Sequence, residues 1–267
     1  MSHSIENPQS KIKNPSAVLL AAGRGTRMGG DRPKVLHEVA GRPMIRWVVD
    51  ACRDAGVARI AVVVGYRGDE VREALADEPA CSFVEQAEQL GTAHAVEMAR
   101  PWFEAEPADD VLVLAGDGPL IRAATLTRLL NVHREADAAA TLATAVIDDP
   151  TGYGRVLRTP GNTFDQIVEQ KDATPDQLAV REVNPSYYCF DGPTLLDALP
   201  RVGNANAGGE YYLTDVPGLL KAEGKTVALV DAVPAADVLS INTPAQLAEV
   251  DRLLRQRFES TPTGAST

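Results

Sequence analysis

Leu20-Ala21-Ala22-Gly23-Arg24-Gly25-Thr26-Arg27-Met28, followed shortly by Pro33-Lys34, gathers positive charge beside glycine. Between Arg24 and Lys34 stand four cations (Arg24, Arg27, Arg32, Lys34) and one anion (Asp31), so this stretch is locally +3 in a chain of formal net charge -11. Small residues let backbone approach a polyphosphate, and the N–H groups of such a turn can point at its oxygens. An ordinary strand-to-helix turn with solvated arginines would use the same glycines. The local reversal of charge favours the phosphate. A second signal is Gly116-Asp117-Gly118-Pro119-Leu120. A lone carboxylate at a strand end suits Mg²⁺, which takes one or two protein oxygens and completes its shell with phosphate and water. Aspartate before proline also caps turns, so position alone leaves both uses open.

Several chemistries are excluded by what the spacing lacks. Gly23-x-Gly25-x-x-Met28 has no third glycine, which a dinucleotide fingerprint needs for helix–strand packing. Gly224-Lys225-Thr226 has Leu219 where a P-loop needs glycine, and it runs from a helix into a strand, the wrong order. His3, His37, His94 and His133 have no metal-ligand spacing, which argues against zinc. Cys52, Cys81 and Cys189 have neither the pairing of a disulfide framework nor the setting of a nucleophile. The chemistry expected is therefore not covalent catalysis.

The elements that must position these residues alternate. Ala17–Ala21, Arg59–Gly65 and Val111–Ala115 are short, continuously apolar runs, as in strands buried on both faces. Pro43–Gly56 carries Met44, Ile45, Val48, Val49, Cys52 and Ala55 on one helical stripe. Gly68–Ala76 and Thr92–Phe103 predict two further helices, and Cys81–Val84 a short strand. This alternation predicts a Rossmann-like α/β fold: a mostly parallel central sheet with helices on both faces, its ligand beyond the carboxyl ends of the strands. After about residue 140 the pattern changes to a strand at Thr141–Val146, turns at Asp148–Gly154, a hairpin at Val156–Val168 and a strand at Tyr187–Phe190. Helices follow at Thr194–Leu199, Leu213–Ala222 and Thr243–Phe258. The division expected is a tail at 1–15, a single domain at 16–259 and a tail at 260–267. Within that domain, 16–140 carry the strand–helix alternation, 141–242 an inserted β region on the same sheet and 243–259 a C-terminal helix.

The chain has 267 residues, 45% of them apolar and 24% charged, enough for a sizeable core. Lys plus Arg number 26 against 37 Asp plus Glu, which disfavours general nucleic-acid binding. Met1–Ser16 lacks the apolar segment of a secretory signal, and no apolar run approaches the ~20 residues that cross a bilayer. A cytoplasmic protein without membrane partners is expected.

The motifs LAAGRGTRM, RPKVLHEVAGRPM, QAEQLGTAHA, GDGPL, DDPTGYGRV, IVEQKDAT, EVN, GEYYLTD and SIN occur in this order. Together they resemble the sugar-nucleotide pyrophosphorylases, most closely the uridylyltransferase half of the bifunctional N-acetylglucosamine-1-phosphate uridylyltransferases. The first motif is shared with other nucleotidyltransferases, including those acting on molybdopterin; QAEQLGTAHA, DDPTGYGR, VEQKDAT and GEYYLTD are more specific. The resemblance runs over roughly Ser16–Phe258 and does not extend to a β-helix acetyltransferase half. It implies small-molecule substrates, UTP and N-acetylglucosamine 1-phosphate, with Mg²⁺ as cofactor, and leaves the oligomeric state open. Leu20, Ala21, Ala22 and Gly23 would hold the nucleotide, with Arg27 and Lys34 as the catalytic cations on the triphosphate. Gln86, Gly91 and Thr92 would read uracil, and Asp117 and Asn242 would ligate Mg²⁺. Gly154, Glu169, Asn184, Tyr212 and Thr214 would surround the amino sugar. Two departures stand out: Asn184-Pro185-Ser186 where the family has Asn-Thr-Gly, and smaller residues, Ala115 and Gly118, around Gly116-Asp117.

Overall fold

The computed structural model describes residues 15–231 and 233–259. The tails expected at 1–15 and 260–267 lie, Pro15 apart, outside the described residues. The first half runs β1 (Ser16–Ala21), β2 (Glu38–Val39), β3 (Arg42–Pro43), α1 (Met44–Asp54), β4 (Arg59–Val64), α2 (Gly68–Ala74), β5 (Cys81–Glu85), α3 (Thr92–Glu97), α4 (Arg100–Ala105), β6 (Asp110–Ala115) and α5 (Ala123–Glu135). The second half runs β7 (Ala140–Ala143), β8 (Ala145–Val146), β9 (Gly154–Arg158), β10 (Phe164–Val168), α6 (Pro175–Leu178), β11 (Glu182–Asn184), β12 (Tyr187–Asp191), α7 (Gly192–Ala198), α8 (Val216–Ala222), β13 (Val227–Val230) and α9 (Pro244–Glu259).

Seven strands form the central sheet in the order β13-β7-β12-β6-β1-β4-β5, and within it only β12 runs antiparallel to its neighbours. The continuous apolar runs follow from burial on both faces. Along β1, Ala17, Leu19 and Ala21 pack into one core while Val18 packs into the other. Strand β4 divides the same way, Ile60, Val62 and Val64 against Ala61 and Val63. The first core lies under α1, α2, α5 and α9, and the second under α3, α4, α7 and α8. The chain leaves β1 for β4 on one side and later returns to β6 on the other. Leu20 is in register with Val63 and Ala115, so the three strand ends are level at the point where strand order reverses. Ligands of doubly wound sheets bind at such a point.

A four-stranded antiparallel sheet, β10-β9-β11-β8, stands beside the main one. Its Val156, Phe164 and Ile167 join the second core. The hairpin expected around Pro160-Gly161 is β9–β10.

Two sequence expectations need correction, and one element was not anticipated. Thr92–Phe103 is two helices, because Pro101 in the first turn of α4 has no N–H to continue α3. Thr141–Val146 is two strands in two sheets: β7 pairs with β12 and β13, β8 pairs with β11, and Thr144 at the crossing donates its N–H to Val230 O at 3.0 Å. Helix α5 has no counterpart in the expectations, although its spacing was legible: Leu126, Leu129, Leu130 and His133 are buried at i, i+3, i+4 and i+7.

Candidate active site

Beyond the level ends of β1, β4 and β6 lies a cleft of ≈ 440 Å³. One wall is the end of β1 and the turn after it, Leu20, Ala21, Ala22 and Gly23, followed by Lys34. Gln86, Gly91 and Thr92 border it after β5, and Asp117 after β6. The opposite wall comes from the second half: Gly154 opening β9, Glu169 after β10 and Asn184 ending β11. Residues that both halves of the sequence nominated thus share one cavity. Asn242 and Thr214 are joined to lining residues by hydrogen bonds and Arg27 is joined to Asn242, whereas Tyr212 lines a neighbouring hollow with Asp172 and Asn206.

Three distant segments converge on one patch of charge. Lys34 Nζ forms an ion pair with Asp117 Oδ2 and donates to Asn242 Oδ1 at 2.6 Å. Arg27, exposed on the turn, donates from Nη2 to the same Asn242 oxygen at 2.9 Å. Asn242 Nδ2 donates to Ser240 Oγ at 3.1 Å, which fixes the amide with its oxygen toward the cations. Gly25 makes the approach possible. Its φ of +67° lies in the left-handed region, and a Cβ there would sit 2.6 Å from Lys34 Cβ. Ile241 N donates to Asp117 O at 3.0 Å, tying the Asn242 segment to the turn after β6.

That segment is anchored by groups the sequence did not single out. Tyr153 donates from its hydroxyl to Val238 O (3.1 Å) and accepts from Ser240 N (3.2 Å). The side chain of Asp237 is fully buried. Its Oδ1 accepts from Arg122 (3.0 Å) and Arg257 (2.7 Å), and Arg122 Nε stands 2.6 Å from Oδ2 in an ion pair. Arg257 also donates to Leu120 O at 3.0 Å. The only sequence signal for Tyr153 was its place inside DDPTGYGRV; Asp237 had none.

On the far wall Glu169 accepts from Thr214 Oγ1 at 3.1 Å. Burial pushes its carboxyl above the ordinary value, with Asp172, Asp215 and Glu210 adding repulsion and the Thr214 hydrogen bond opposing. A native carboxyl raised in this way binds its proton more tightly than the unfolded chain does. The folded state is therefore favoured at low pH and loses that advantage as pH rises from about 4.5 through the native value. Glu169→Gln removes the buried charge, so its stability relative to wild type is expected to improve progressively over that rise and then level off. Urea unfolding at a series of pH values measures this, and a difference independent of pH would refute it.

Asn184 is held on both sides, donating to Tyr188 Oη at 2.5 Å and accepting from Ser186 N at 3.2 Å. Pro185, which has no N–H, and Ser186, at φ +63°, line the cleft. Thr92 Oγ1 accepts from Leu213 N at 2.9 Å. Gly91 lies against the same strap: a Cβ on it, at φ +121°, would be 2.6 Å from Tyr211 N, and Tyr211 N donates to Leu90 O at 2.8 Å.

The remaining candidates fall away. Cys52, Cys81 and Cys189 are unpaired, and burial pushes their thiols up, Cys81 to about 11, so none is an activated nucleophile. His133 is buried against Thr141 Oγ1 at 2.9 Å. Among the described residues there is no group of three or more His, Cys, Asp and Glu placed to hold a metal, and no helix long and apolar enough to cross a membrane. A cation held here would have one carboxylate and one amide oxygen.

A level-ended parallel sheet with a cationic glycine turn at its strand-order reversal and an acid facing it after β6 defines a nucleotidyltransferase fold. A family model described as a MobA-like NTP transferase domain matches residues 17–199, and the chain belongs to that family. Its relatives include the bifunctional protein GlmU of Heliobacterium modesticaldum, 49% identical over 243 residues that make up 91% of this chain and 52% of the relative. GlmU of Pelotomaculum thermopropionicum is 49% identical over 242 residues (91% and 52%), and that of Pelobacter propionicus 45% over 249 (92% and 54%). The resemblance drawn from the motifs therefore holds across nearly the whole chain. The chain spans about half the length of these curated relatives.

Proposed function

We propose that this chain transfers UMP from UTP to N-acetylglucosamine 1-phosphate, releasing pyrophosphate and forming UDP-N-acetylglucosamine. The observation that carries the reading is the meeting of Lys34, Asp117, Asn242 and Arg27 at the mouth of a cleft that also holds Gln86, Glu169 and Asn184. Both substrates are phosphate anions, so their mutual repulsion is part of the barrier. Lys34 and Arg27 would neutralise that charge and hold the triphosphate for in-line attack on the α-phosphorus by a phosphate oxygen of the sugar. A sugar phosphate is already ionised near neutral pH, so the reaction needs no strong general base, in keeping with the unreactive cysteines.

The donor set suits a divalent ion. Asp117 and Asn242 turn their oxygens to one point, where the Lys34 ammonium now stands for positive charge. Hard oxygen donors, one anionic and one neutral, leave room for phosphate and water, as Mg²⁺ requires. Asp117 and Asn242 would hold Mg²⁺, which when bound supplies charge neutralisation of the phosphate oxygens.

A second reading keeps this chemistry and changes the sugar phosphate or the base. Pro185 and the small residues Ala115 and Gly118 around Asp117 favour it, because proline at 185 lacks a backbone N–H and a hydroxyl on the cleft wall that also carries Asn184. Pyrophosphate release measured over a panel of nucleoside triphosphates and sugar 1-phosphates separates the two. UTP with N-acetylglucosamine 1-phosphate is expected to give the highest kcat/KM, and turnover confined to another pair would establish the second reading.

A further inference from the structure

Gln86 immediately follows β5, with its side chain buried at the cleft wall. Its Nε2 lies 3.1 Å from Gly91 O. A carbonyl oxygen can only accept, so the atom facing Gly91 is the amide nitrogen and the orientation of the carboxamide is determined. The same nitrogen lies 3.0 Å from His94 Nδ1, on α3. Both hydrogens of Nε2 are thus consumed by the protein, and Nδ1 must be the acceptor, which puts the proton of a neutral His94 ring on Nε2. Oε1 has no hydrogen bond among the described residues and is not one of the sealed side-chain atoms that lack one. Its open side is the cleft that Gln86 lines.

We propose that His94 is a positioning residue for base selection: by accepting from Gln86 Nε2 it turns Oε1 toward the base, so that the cleft selects an imide edge with an N–H at N3 and rejects a cytosine edge. The inference rests on the uridylyl-transfer reading for the base but not for the sugar. Uracil offers the Oε1 lone pairs an N3–H, whereas cytosine N3 offers a lone pair and leaves both acceptors unsatisfied. Sites built on a buried hydrogen bond discriminate strongly against analogues that cannot make it.

The test is calorimetric titration of the chain with UTP and with CTP, for wild type, His94→Leu and His94→Asn, each checked for an unchanged melting temperature. Wild type is expected to bind UTP at least about tenfold more tightly than CTP. Leucine removes the acceptor and frees the carboxamide, so the preference should shrink by about tenfold, chiefly through gained CTP and lost UTP affinity. Asparagine supplies an oxygen about where Nδ1 stands and should retain the preference. Equal preference in all three proteins, or equal loss in both variants, overturns the role assigned to the Nδ1 acceptor. Wild type binding CTP as tightly as UTP overturns the assignment of Oε1. Wild type that prefers UTP yet releases no pyrophosphate with N-acetylglucosamine 1-phosphate defeats the proposed reaction and leaves this inference standing.

Discussion

Asp117→Ala is expected to lower kcat for pyrophosphate release by about 10²–10³-fold, the scale on which a single preorganised charge contact acts in a transition state. Asp117 has two duties that the substitution removes together. It supplies the anionic oxygen of the Asp117–Asn242 pair, and it receives the ion pair from Lys34. The concentration of Mg²⁺ needed for half-maximal rate should rise in the same variant, whereas loss of a mere turn cap would change stability and leave the metal dependence alone. The backbone oxygen of Asp117 still accepts from Ile241, so the fold around the turn should persist. An Asp117→Ala protein with undiminished turnover would show that the metal lies elsewhere, and the proposed arrangement would fall with it.

Asp237→Ala should produce the largest loss of stability among single changes near the site, about 2–4 kcal/mol. Removing one partner of a buried ion pair typically costs about 3–5 kcal/mol, and the value here is discounted because both arginines reach solvent. Their side chains are 49% and 29% exposed, against 0% for Asp237. For a domain of this size each kcal/mol moves the melting temperature by about 2–4 °C, so a fall of about 5–15 °C is expected by calorimetry. The consequence reaches the site because Asp237 is five residues from Asn242 and its partner Arg257 also grips Leu120 O. Turnover in the variant should be impaired at temperatures well below its transition, since the Asn242 oxygen loses its anchor. A melting temperature within 2 °C of wild type, a margin set by that same scale, would mean that the Asp237 cluster is not a structural clasp.

How much of this was legible in the sequence differs from element to element for physical reasons. Runs such as Val111–Ala115 announced a strand buried on both faces, because such a strand has no solvent side to demand alternation. Helix α1 was equally plain, its apolar stripe repeating at helical spacing. The cationic glycine turn could be read as a phosphate site because charge, turn geometry and small side chains are all local properties. Thr141–Val146 could not be divided between two sheets, since an apolar run does not say which strand will pair with it.

What only the tertiary structure decided is which of these groups meet. Lys34 and Asn242 are 208 residues apart in the chain and share a hydrogen bond. Arg122 and Asp237, 115 apart, close a buried pair whose members carry no pattern of their own. The direction of the Gln86 amide depends on a carbonyl and a ring nitrogen that only the turn into α3 brings to it. Local composition set the strands, helices and turns because hydrophobic periodicity and backbone stereochemistry act over a few residues. The charged cluster and the oriented amide arise from chain crossings at a strand-order reversal, and the free energy of those contacts exists only once the sheet has assembled.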